Sequence, residues 1–155
     1  MKVKLYDNNG HEKNVEQDIL ETDNMEISRM TFSGAIDNNF NFTEKPNATF
    51  KKGETVFVYA ELQDLPQEYV NGKYHYKIAV DMGVYDTEGR LITSISKENL
   101  TIKEESGSTP FSIFRLKNDI IPSLDAPLGE YSVKFIFRDL LTGKIAVKTA
   151  YFYLG

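Results

Sequence analysis

Three aspartates stand a few residues ahead of a glycine and then a basic side chain: Asp7 in DNNGH, Asp86 in DTEGR and Asp139 in DLLTGK. Carboxylates spaced through a glycine-bearing loop are what a calcium site needs, since the ion takes about six to eight oxygen ligands. The first stretch offers Asp7, Asn9 and Glu12 but lacks the distal bidentate glutamate of an EF-hand. In the second, the cation of Arg90 sits beside the carboxylate, and the third supplies one carboxylate and two leucines. The same residues also make turns. An aspartate at the first turn position accepts a hydrogen bond from the backbone two residues on, and glycine takes the positive φ at the exit. Each stretch lies between alternating segments, where a hairpin is required in any case. The turn reading is therefore preferred, and no metal or cofactor is assigned.

Other catalytic chemistry finds no constellation. His11 falls in a turn and His75 among lysines on a solvent face, and their spacing does not bring them together with carboxylates. No G-x-S-x-G elbow is present, and SGSTP at 106–110 reads as a flexible loop. Neither glycine-rich phosphate loop occurs. Carboxylates of the kind that hydrolyse glycosides are plentiful, but most stand beside lysines or in turns, where water solvates them. The chain is accordingly expected not to be an enzyme.

The 155 residues suffice for one domain with a core of its own. The lack of cysteine removes disulfides, thiolate metal sites and cysteine nucleophiles. A formal net charge of −5, with no basic stripe, argues against nucleic acid or an anionic membrane as partner. No apolar stretch approaches the roughly 20 residues of a membrane helix. MKVKLYDNNG alternates without the apolar centre of a signal peptide. A signal lost from upstream would place the chain outside the cell or on its surface, and without one it would be cytoplasmic.

Alternation dominates the rest. Tyr74, Tyr76, Ile78, Val80, Met82 and Val84 hold the even positions of 73–85, with polar side chains between most of them. Period 2 over that length predicts a strand with one face in a core. Val56, Val58, Ala60 and Leu62 predict a second, with Phe57 and Tyr59 on its other face. Tyr131, Val133, Phe135 and Phe137 predict a third. In 143–154 the phase is broken: Ile145 and Val147 are odd, then Ala150, Phe152 and Leu154 even. A β-bulge at 148–150 would reconcile the halves. Shorter strands are expected at 26–32, 90–96, 100–103 and 111–117. The prolines of NDIIPSLDAPLG predict a crossover with one helical turn after Asn118. Residues 1–24 are expected to form an extension, an early strand followed by irregular or helical chain. Residues 25–155 are expected to form the main domain.

In APLGEYSVKFIFRD, Gly129 and Tyr131 resemble the tyrosine corner of Greek-key sandwiches. FKKGETVFVYAEL, MGVYDTEGRLI and GEYSVKFIFRDLLTGKIAVKTAYFYL resemble the second strand, middle hairpin and last two strands of immunoglobulin-like or fibronectin III-like modules in bacterial and archaeal surface proteins. The likeness covers about 50–154. It implies an all-β, antiparallel two-sheet Ig-like (Greek-key) sandwich with an N-terminal extension, and it implies no activity.

Function in such a module falls to its surfaces. The expected role is a non-catalytic protein-interaction or structural module of a cell-surface or filament assembly. It would act on a protein partner or a second copy through open sheet edges. Val3 and Leu5 of MKVKLYD are the candidate donated strand. Aromatic side chains outside the core, Phe57, Tyr59, Tyr69, Tyr151 and Tyr153, are the candidate binding surface, with Tyr69 expected in a loop. Stacking on sugar rings makes a carbohydrate-binding module the alternative, with a hydrolase third.

Overall fold

The computed structural model of the chain describes residues 2–3, 18–20, 25–94 and 101–155. The strands in chain order are β1 (Lys2–Val3), β2 (Asp18–Leu20), β3 (Glu26–Ser33), β4 (Thr49–Phe50), β5 (Val56–Gln63) and β6 (Gln67–Val70). They continue with β7 (Lys73–Tyr85), β8 (Leu91–Ser94), β9 (Thr101–Gly107), β10 (Ile113–Ile120), β11 (Gly129–Asp139) and β12 (Ile145–Leu154). Among the described residues they form two sheets, of nine and three strands.

The larger sheet is built on β7. One edge of β7 pairs with β6 and then β11, the other with β9 and then β8. Beyond β11 come β12 and β4, and beyond β6 come β2 and β1. The smaller sheet runs β10-β5-β3. Pairing is antiparallel throughout, apart from β12 with β4. The all-β, two-sheet expectation therefore holds at the level of class.

The core lies where the alternating faces meet. Tyr76, Ile78, Val80, Met82 and Val84 of β7, the inward row of β11, and Val56, Val58, Ala60 and Leu62 of β5 are all buried. Phe152 joins the sheets, its ring 5.4 Å from Phe32 of β3, 6.2 Å from Phe50 of β4 and stacked 5.4 Å from Tyr131 of β11. Tyr131 also donates its hydroxyl to the Pro127 carbonyl at 2.6 Å, the backward bond expected of a corner tyrosine.

Three expectations are corrected. There is no bulge in β12: its register with β11 is unbroken from Ile145 to Leu154. Ala146, not Ile145 or Val147, is the core residue of its first half. A small side chain fits there, and the larger aliphatics face outward. Strand β10 runs on to Ile120, where a helical turn was expected, because Asn118, Asp119 and Ile120 remain paired with Val58, Phe57 and Val56. Residues 18–20, expected to be irregular or helical, form β2, paired with both β1 and β6.

The aspartates make turns. Asp86 Oδ1 accepts from the backbone of Glu88 and of Arg90, each at 2.9 Å, and Gly89 takes φ +79°. Asp37 repeats the pattern, accepting from Asn39 and Asn41 at 2.8 Å, with Phe40 at φ +60° where Gly89 stands in the other turn. Phe40 holds a conformation that glycine would take without strain, and its ring covers Tyr59. Asp139 is buried and accepts from both the backbone and the hydroxyl of Thr142. Asp7 lies outside the described residues.

Candidate functional site

The unbroken register of β12 sends all its odd residues to the outer face of the larger sheet. Ile145, Val147, Tyr151 and Tyr153 are 47%, 52%, 52% and 40% exposed, a row of large apolar side chains open to water. Across the ladder, Val147 faces Ile136 and Tyr151 faces Ser132, which in turn faces Tyr85. A Cβ on Gly83 would meet the Tyr85 ring at 3.1 Å, so that ring lies across the glycine. Tyr153 donates its hydroxyl to Glu130 at 2.9 Å, and that carboxylate pushes the phenol above its ordinary pKa.

Beside this row the margin of the sheet is incompletely paired. Only Tyr153 and Leu154 of β12 pair with β4, so among the described residues 145–152 pair on one side alone. An apolar face next to unpaired backbone suits strand addition by another chain.

The five aromatic candidates do not converge. Tyr151 and Tyr153 are in this row. Phe57 is half-buried on the outer face of β5. Tyr59 is 2% exposed, roofed by Phe40 and Phe42 with the Arg29 guanidinium 5.7 Å from its ring. Burial and a 2.6 Å bond to Glu61 raise its pKa to about 12. Tyr69 lies in a strand rather than a loop, 4.8 Å from Tyr74 on the opposite face of the sheet from Tyr151. Val3 pairs with Ile19 in β1–β2, and Leu5 is outside the described residues. Sequence reasoning missed Tyr85, Ile136, Ile145 and Val147. Continued alternation from Leu154 back through Ala146 was the signal that could have found the last two.

His75, expected on a solvent face, bridges three strands. Its Nδ1 lies 2.9 Å from Glu68 of β6 and its Nε2 2.7 Å from Glu104 of β9. Burial opposes the charge, but the two carboxylates outweigh it and raise the pKa. The cation is therefore favoured in the folded state. Its stabilisation is complete below the unfolded value of about 6.5 and lost as pH rises through the higher folded value. Urea midpoints should fall as pH is raised from about 6 to 8, and His75→Gln should flatten that slope. An equal slope in the variant would remove the assignment.

Among the described residues no group of three metal-ligating side chains forms, and no helix is long and apolar enough to cross a membrane. No protein-family model matches the chain. No curated protein matches it in sequence either. Solved structures do. A Bacteroides uniformis β-glucuronidase superposes at TM-score 0.52 with 13% identity, over 84% of this chain and 14% of that one. B. uniformis β-glucuronidase 2, covalently bound to cyclophellitol-6-carboxylate aziridine, gives 0.51 with the same identity and coverage. The C-terminal domain of wzt shares 10% identity over 92% of this chain and 80% of that one, at TM-score 0.48. The chain thus spans 14% of the glucuronidases' length, and the likeness is one of β-sandwich-type fold.

Proposed function

We propose that this is a non-catalytic interaction module, an immunoglobulin-like sandwich that binds a protein partner or a second copy along the margin of β12. The observation that carries the reading is the outward row Ile145, Val147, Tyr151 and Tyr153 beside an edge that is unpaired over 145–152. Apolar area left in water is costly, at about 25 cal/mol per Å², and covering it with a strand also satisfies the edge. The corner bond of Tyr131 supports the fold assignment.

The test is sedimentation over a range of concentrations, comparing wild type with Val147→Lys. The wild type should show mass rising with concentration. The variant should stay monomeric and lose no more than about 0.5 kcal/mol of stability, as is usual for an exposed site. A wild type monomeric throughout would end the second-copy form of the proposal.

The alternative, glycan binding, draws on Tyr151 and Tyr153 two residues apart on one face, with the Glu130 carboxylate bonded to Tyr153. Binding on a glycan array that disappears with Tyr151→Ala would favour it over the protein-binding reading.

A further inference from the structure

On one side the sandwich is closed by Phe152 against Phe32. On the other, among the described residues, β10 pairs only with β5, and its second edge is free. Two clefts of about 670 and 820 Å³ follow that edge end to end. The first runs between the start of β10 and Tyr76, Lys103 and Glu105. The second runs between 119–122 and Met82, Val84 and Ile92. Between them Asn118 reaches the Met82 sulfur at 3.6 Å. The seam thus has an unpaired strand as one wall and a base that is mixed in the first cleft, where Tyr76 stands with Lys103 and Glu105, and apolar in the second, where Met82 and Val84 stand.

The net charge of its lining changes sign along its length. Lys117 holds the carbonyls of Ile36 and Asp37, Glu105 accepts from Tyr76, and Arg90 pairs with Asp86 and Glu88. The first cleft is thus lined by Lys103, Arg115 and Lys117 against Glu105, a positive excess, and the second by Asp86, Glu88, Asp119 and Asp125 against Arg90, a negative one. At the acidic end Ile92 and Ile121 are 53% and 71% exposed, so a molecule that only filled the cleft would leave the rim wet.

We propose that this seam takes an extended segment of a partner protein, added antiparallel to β10, apolar at alternate positions, basic toward its N-terminal end and acidic toward its C-terminal end. The antiparallel direction continues the pattern of the smaller sheet, in which both existing pairs are antiparallel. An antiparallel neighbour starts beside the end of β10, where Asp119 and Asp125 stand, and finishes beside Arg115 and Lys103. Eight residues of β10 span about 27 Å, room for a partner strand of similar length. The free edge supplies affinity, the base takes alternate side chains, and the charges set polarity.

The probe is the blocked peptide KVKVTVEVE, titrated into the full chain carrying labelled methyl groups. Saturable shifts are expected at Met82, Leu116, Ile120 and Ile121, and the reversed peptide EVEVTVKVK should bind at least about tenfold more weakly. The double variant Asp119→Asn, Asp125→Asn, at two exposed sites, should narrow that difference with its spectrum otherwise unchanged. Two further peptides, N-methylated at the odd or the even residues, test strand pairing, and one of them should fail to bind. Equal binding of the two sequence orders, binding of both methylated peptides, or shifts confined to Ile145 and Val147 would each overturn the proposal.

Discussion

Phe152→Ala should destabilise the protein by about 4 kcal/mol, while Tyr151→Ala, one residue away, should change stability by no more than about 0.5 kcal/mol. Phe152 is 1% exposed and touches three aromatic rings on β3, β4 and β11, so truncation opens a void where rings from both sheets meet. The facing rings are held by three different strands and cannot all collapse into the space. That argues for the upper part of the usual range for a large aromatic. In a domain of this size the loss corresponds to a fall in melting temperature of roughly 8 to 16 °C. Tyr151 is 52% exposed on the other face, and its removal opens no void. Thermal denaturation of the two variants side by side reads the register of β12 directly. Comparable losses would mean that the strand does not alternate as described.

That register also shows where the sequence was legible. Long rows with one clear phase, such as the even residues of β7 and the odd residues of β11, announce their buried faces, because a slip by one would turn the whole row into water. β12 misleads for a physical reason: Ile145 and Val147 look like core, and Ala146 between them does not. Hydrophobicity alone cannot separate a buried aliphatic from one left exposed on a face that is free to bind. Asn71-Gly72, both at positive φ in the structure, mark the β6–β7 hairpin, a turn signal that places Tyr69 in a strand rather than a loop. Tyr59 is legible as an aromatic off the core side and illegible as a buried one. Its cover comes from Phe40 and Phe42, distant in sequence and displayed by a turn whose φ +60° falls on phenylalanine where glycine would be the expected residue.

The His75 bridge is invisible in the sequence for a related reason. Glu68, His75 and Glu104 come from three strands, and only the lateral order β6, β7, β9 brings them into line. Strand order is the quantity least determined by alternation. The same gap hides the seam beside β10, which exists because, among the described residues, the smaller sheet has three strands and stops short of the margin formed by β8 and β9.

Asp139→Ala should cost about 2 kcal/mol, and more than Asp86→Ala, although both residues open turns of the same sequence type. Asp139 is fully buried and takes both donors of Thr142, the backbone N–H and the hydroxyl, on one carboxylate oxygen. Alanine would leave both donors short of an acceptor, at about 1 to 3 kcal/mol each. Part of that is offset, because the other carboxylate oxygen has no hydrogen-bond partner among the described residues and its burial already disfavours the native state. Asp139→Asn keeps an acceptor for Thr142 and should cost less than about 1 kcal/mol. Asp86 sits in an outer turn where water can take over its acceptor role. Calcium should leave the wild-type melting temperature unchanged, whereas a site at a hundredfold excess over its dissociation constant would add about 2.7 kcal/mol. If the buried carboxylate serves the turn, Asp139→Ala is much less stable than Asp139→Asn, and neither the wild type nor the variants respond to calcium. A calcium-dependent rise abolished by Asp139→Asn would instead make the unpartnered oxygen a ligand.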